Sequence, residues 1–239
     1  PILFEGESGD STKAVLRYNA NNNILDYALS LDGAENISFQ KLGFKRDNNS
    51  RTVLIVNSSY EISFENCHFF SNQSITGSRV SSIHLLNNYF QSSLNISDSR
   101  LIRIEGNLCL NRIQQYRMDS LFMLGNEVNA EIEFSGNNIF IESNSTRSLN
   151  AQQRIVYEDG HRGYSGNVNI IRNIILGRVE LYISEGDSSK IVSNEIDAKG
   201  QDHGIHVFHG YYSPTHKNIL ISGNKIKNIE DCKKLYFLL

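Results

Sequence analysis

The stretch NILISGNKI, from Asn218 to Ile226, alternates apolar and polar residues, places an asparagine at a bend, then resumes with an apolar residue. The same phrase recurs as NISFQKLGF (36–44), EISFENCHF (61–69), SIHLLNNYF (82–90), LIRIEGNLC (101–109), EIEFSGNNI (131–139), VNIIRNII (168–175) and KIVSNEI (190–196). With Ile37, Ile62, Ile83, Ile102, Ile132, Val168 and Ile219 as markers, the first steps are 25, 21 and 19 residues, and later ones are longer. Self-similarity at such a period marks a repeat architecture, in which each unit buries its apolar face on its neighbours.

The period of two within each phrase is that of a strand with one buried face. Glycine and asparagine punctuate the runs, and no segment sustains a helical period with caps. Between phrases lies a second strand-like run, at 28–31, 53–56, 94–96, Leu121 to Leu124, 155–157, 179–183 and 205–208. A third short apolar stretch closes each phrase, as at 42–44, Ile139 to Ile141 and 174–176. Three short strands per coil, stacked coil on coil, predict an all-β parallel β-helix of about eight coils over residues 1–239 as one domain.

The asparagines at Asn66, Asn87, Asn107, Asn137, Asn173, Asn194 and Asn224 fall at the bend of the phrase. Asparagine tolerates the left-handed conformation such a bend needs, and stacked amides can bond to one another along the rod. They are read as scaffold. Arg112 to Arg117, RIQQYR, reads as a solvated turn between coils.

The net charge of −3 argues against a nucleic-acid partner, which calls for a basic excess or stripe. No apolar run approaches the length of a membrane span. Cys67, Cys109 and Cys232 give no even framework and no CxxC. Cys67 and Cys109, inside the phrase, read as small buried hydrophobes. The start inside a strand-like run, and the end at KKLYFLL, suggest a piece of a longer chain whose last coil this ending covers.

The stacked phrases, ILISGNKI above all, resemble the repeats of the pectin-lyase-like superfamily. The opening, ILFEGESGDSTKAVLRYNANNN followed by ALSLDGAENISFQKLGF, resembles the β-helical modules of large secreted bacterial surface proteins. The resemblance implies a single-stranded right-handed parallel β-helix, secreted or at the cell surface, with flanking domains, bound to polysaccharide or a cell-surface glycan. It also implies an alternative, a lyase acting on an acidic polysaccharide by β-elimination with Ca²⁺ assistance. No cofactor is required by the first reading.

Function is sought where the period breaks. The step from Ile132 to Val168 is 36 residues, with excess in 144–153 and in YEDGHRGYSGN, 157–167; a second insertion is HGYYSPTHK, 209–217. With the shorter turn 184–190, these predict one ridge containing Glu158, Asp159, His161, Arg162, Tyr164, Glu185, Asp187, His209, Tyr211, Tyr212 and His216. Alternation sends Leu181, Ile183, Ile205 and Val207 inward and Glu180, Tyr182, His206 and Phe208 outward, as neighbours on successive coils. Tyr164, Tyr182, Phe208, Tyr211 and Tyr212 offer flat rings for sugar faces, bordered by acids for the hydroxyls. Under the lyase alternative, Arg162, Arg178 or Lys217 would be the base, with Glu180 and His206 beside it; Glu158, Asp159, Glu180 and Asp187 would hold calcium. The histidine spacing in HGIHVFHG does not by itself converge on a metal.

Overall fold

A computed structural model describes residues 1–18, 29–46, 54–70, 73–146, 153–157, 167–183, 188–209 and 219–230. These residues form strands and turns with no helix, and every strand pairing is parallel. The chain is a parallel β-helix, as the repeated phrase requires. Each coil runs from a first sheet through a bend into a second sheet, then turns into a third. The first sheet stacks ten strands, beginning with Ile2–Glu5 and ending with Ile219–Ser222.

The register corrects the phrase count. Ile102 pairs with Leu121, Leu121 with Ile139, and Ile139 with Val168, so Leu121–Leu124 and Ile139–Glu142 are first-sheet strands. The phrase EIEFSGNNI instead begins in the third sheet, where Ile132–Gly136 pairs with Ile113–Met118. Arg112 to Arg117 is correspondingly mostly strand and not a turn. Alternation is the same in all three sheets, so a local pattern cannot say which sheet it belongs to; closure of the coil decides.

Two adjacent residues share the work assigned to the bend asparagine. The first takes the left-handed conformation: Lys41, Asn66, Asn87, Gly106, Gly125, Ser143, Arg172, Ser193 and Gly223 have φ between 53° and 63°. The next residue forms the ladder, which starts at the Cys67 N–H and continues through Asn88, Asn107, Asn126, Asn144, Asn173 and Asn194 to Asn224. Each Oδ1 accepts from the backbone N–H one coil earlier at 2.8 to 2.9 Å. From Asn107 onward it also accepts from the earlier asparagine's Nδ2, at 2.8 to 3.1 Å. The other Nδ2 hydrogen goes to a first-sheet carbonyl one coil back along the chain, as from Asn126 to Ile104 O at 2.8 Å. Side-chain amides thus satisfy buried backbone donors that the bend would leave orphaned. Asn66 and Asn87 belong to the left-handed column, and Asn137 belongs to neither.

Inside, aromatic rings fill the amino-terminal coils. Phe4, Phe39 and Phe64 stack at 5.1 and 4.9 Å, and Phe44, Phe69 and Phe90 at 5.0 and 4.9 Å. The two columns meet edge to face, the geometry that ring quadrupoles favour. Further along, Leu85, Ile104, Met123, Ile141, Ile170 and Ile191 continue the first column with aliphatic chains, all buried. Full burial of each such side chain stabilises by ~1.5–3 kcal/mol. Cys67 and Cys109 are free and buried, and burial pushes their thiols up to about 11 and about 12. Both are packing residues, as expected. Cys232 and the ending KKLYFLL lie outside the described residues.

Candidate functional site

The ladder measures coil length. Successive asparagines from Asn88 to Asn144 are separated by 19, 19 and 18 residues; from Asn144 to Asn173 the separation is 29, and from Asn194 to Asn224 it is 30. Along the ladder the rod is therefore elaborated at two coils near its carboxy-terminal end, while ahead of the ladder the first coil is longer still, Ile2 pairing with Ile37, 35 residues further on. The expected 36-residue step contracts to 29 because Ile132 lies in the third sheet and Ile139 is the true marker.

Both long coils flank one strand. Ile174–Ile183 starts in the second sheet, pairing with Ser145 and Thr146, and ends in the third, pairing with Gln153–Tyr157. Gly177, with φ of 148°, makes the corner between them. Past it, Val179 and Leu181 are buried in the core. Glu180 stands in register with His206, and Tyr182 with Phe208, as the alternation predicts.

Glu180 corrects one expectation. It lies on the side opposite Val179 and Leu181, yet it is only 3% exposed, so it is not an open acidic border. Its carboxylate pairs with the Arg178 guanidinium at 2.7 Å, two residues earlier on the same face, and burial makes such a partner necessary. Next to it, His206 Nδ1 and His203 Nε2 are 3.1 Å apart, with the rings edge to face at 4.4 Å. Burial holds both imidazoles below the ordinary histidine range; nearby Arg178 pushes the same way, and Glu180 opposes it. The pair is thereby biased toward neutral rings that can both donate and accept hydrogen bonds. Gly204 between them is required by packing: a Cβ there would sit 2.4 Å from Ile226 Cγ2 of the next coil.

Arg162, Lys217, Tyr164, Tyr211, Tyr212, Glu158, Asp159 and Asp187 lie outside the described residues, as do His161, Glu185 and His216. The ridge is therefore known here only through its strands, Gln153–Tyr157, Ile174–Ile183 and Ile205–His209. Among the described residues no group of three His, Cys, Asp or Glu side chains converges as a metal site, and of the calcium candidates only Glu180 is among them.

Sequence reading missed a second polar cluster on the same outer face. Glu133 Oε2 accepts from Tyr116 Oη and from Gln114 Nε2, each at 2.6 Å. Burial raises the Glu133 carboxyl, but hydrogen bonds from Tyr116, Gln114 and Glu131 outweigh it and leave it below the usual carboxylate range. The signal lies in the alternation of IQQYRM and IEF, strand segments that the basic run RIQQYR disguises as a turn. The register joins both clusters in one column: Asn95, Gln114, Glu133, Val156, Glu180 and His206.

The fold defines the class, a parallel β-solenoid. No family model, no curated protein and no solved structure matches the chain. No helix among the described residues is long and apolar enough to cross a membrane.

Proposed function

We propose that this chain is a polysaccharide-binding module of a secreted or cell-surface protein, with the glycan lying along the outer face of the third sheet. One observation carries the reading: the outward column sets the amides and carboxylate of Asn95, Gln114 and Glu133 on successive coils and, past Val156 and the buried Glu180, the half-buried His206, with Tyr182 and Phe208 two residues further along the same strands where the coils lengthen. Repeated hydrogen-bonding groups at about 4.8 Å spacing suit a repeating polymer of hydroxyls, and rings at one end suit its apolar faces. A glycan array tests this. Binding should weaken at least tenfold in Tyr182→Ala with Phe208→Ala, and less in Gln114→Ala; binding untouched by all three substitutions refutes the face.

The second reading, a calcium-assisted lyase on an acidic polysaccharide, is favoured by the histidine pair beside the Arg178–Glu180 ion pair. Burial holds both rings below the ordinary histidine range and so favours the neutral imidazole that can take a proton. Incubation with uronate polymers and calcium, followed in the ultraviolet for unsaturated product, separates the two. Product that is lost in Arg162→Ala or His206→Ala would replace the binding reading with the enzymatic one.

A further inference from the structure

The closed coil supplies what the histidine spacing in HGIHVFHG leaves open. His203 precedes the strand Ile205–His209 and His206 lies within it, and the fold brings His206 Nδ1 to 3.1 Å from His203 Nε2. Both side chains are half-buried, so the two nitrogens meet near the surface and not in the core. The backbone between them is pinned. Gly204 O accepts from Val179 N–H at 2.8 Å, and Gly204 packs so closely on Ile226 that a Cβ would collide with it. His206 is held in register beside Glu180. Packing of the scaffold, and not the pair itself, therefore sets where the two rings stand.

A separation of 3.1 Å serves a hydrogen bond, and it also fits a second geometry. Imidazole nitrogens bind a divalent transition ion at about 2.0–2.1 Å, and two such bonds at about 90° to 109° place the nitrogens about 2.9 to 3.4 Å apart. The pair lies inside that interval. In the hydrogen-bonded pair one N–H sits between the rings. Moving that proton to the far nitrogen of its own ring turns both lone pairs to the ion, with no proton lost; each ring keeps one N–H, on His203 Nδ1 and His206 Nε2. The nearby charges do not oppose this, because Arg178 is paired with Glu180 at 2.7 Å, and Asp202, exposed and next to His203 in the chain, adds negative charge. Among the described residues no third His, Cys, Asp or Glu joins the pair. The remaining positions on the ion go to water or to the oxygens of a bound molecule.

We propose that His203 and His206 form a binding site for a divalent transition-metal ion, held through His203 Nε2 and His206 Nδ1 and bound most tightly as Cu²⁺. Neutral imidazoles suit copper, nickel and zinc, and Cu²⁺ forms the strongest complexes of the divalent series. Ca²⁺, which takes oxygen ligands, does not suit two ring nitrogens. The site is thus distinct in kind from the calcium of the lyase reading, and it does not rest on the glycan reading.

The test is titration calorimetry with copper(II) chloride at about pH 7.5, above the ordinary histidine value. The unmodified protein is compared with His203→Gln, His206→Gln and His84→Gln, with circular dichroism to confirm equal folding. Glutamine keeps a hydrogen-bonding side chain and removes the ring nitrogen that binds the ion. The unmodified protein and His84→Gln should bind their tightest ion equally well, and each variant of the pair at least tenfold more weakly. Electron paramagnetic resonance of the copper complex, which a change in stability would not imitate, should show coupling to two imidazole nitrogens. No saturable binding by the unmodified protein overturns the proposal and leaves the 3.1 Å contact as a hydrogen bond alone. So does an affinity unchanged in either variant of the pair, or coupling to a single imidazole, since either would place the ion elsewhere.

Discussion

The coils from Asn88 to Asn144 and those from Asn144 to Asn224 share one ladder and one core pattern, yet differ in what hangs outside. The first set repeats at 18 or 19 residues, leaving room only for three strands and their bends. The second includes steps of 29 and 30 residues without interrupting a single ladder bond. A solenoid tolerates insertion because each coil needs only its inward residues and its bend to stack on its neighbours. The cost of a longer surface loop grows slowly with length. The short coils therefore show what the scaffold requires, and the long ones show where the chain is free to carry a site.

The largest effect should come from the core of the short coils. Ile104→Asp buries an unpaired charge and should cost several kcal/mol, removing the cooperative thermal transition followed by circular dichroism. Ile221→Asp, in the partly exposed last first-sheet strand, should cost less and leave the amino-terminal coils folded. Equal effects would mean that the rod unfolds as a single unit with no gradient toward its end.

Next is the ladder. Asn126→Ala leaves the buried Asn107 N–H without its acceptor and removes bonds to Ile104 O and Asn144 Oδ1, a loss of roughly 1–3 kcal/mol. Asn224→Ala, half-buried at the ladder's end, should cost less in chemical denaturation. A larger loss at Asn224 would contradict the placement of the scaffold's strength in the short coils.

The left-handed column gives a smaller change. Gly125 has φ of 62° and open space around a would-be Cβ, so Gly125→Ala should cost about 1–2 kcal/mol from backbone strain alone. Gly125→Asn should recover most of that, since Asn66 and Asn87 already adopt this conformation. If alanine and asparagine behave alike, the two-column account of the bend fails.

The smallest effect belongs to the long coils. His203 and His206 are held below their ordinary value of 6.5, so the folded protein binds fewer protons there than the unfolded chain. Their contribution is fully present above about pH 6.5 and declines as pH falls toward their folded values. Replacing both with glutamine should flatten this part of the stability–pH curve measured by chemical denaturation.

Much of this was legible in the residues. The inward alternation, buried Cys67 and Cys109, and the facing of Glu180 with His206 all followed from a period of two and a repeating phrase. The ladder was legible as a kind of bond, but not residue by residue: LFMLGNEV at 121–128 carries the ladder asparagine Asn126 without the usual isoleucine, and EIEFSGNNI imitates a first-sheet strand from the third sheet. The exposure of Glu180 could not be read at all, because alternation assigns a side chain to the outside without saying what covers it.

By itself, then, the sequence determined that this chain stacks, since apolar residues at every second position, bounded by bends that demand a left-handed residue, can be buried only on a copy of themselves. Tertiary structure alone decided which sheet each strand enters, which asparagine joins the ladder, and that Glu180 is a buried partner of Arg178. Those outcomes depend on how each coil closes on the one before it, and closure links residues 18 to 30 positions apart through contacts that no local pattern contains.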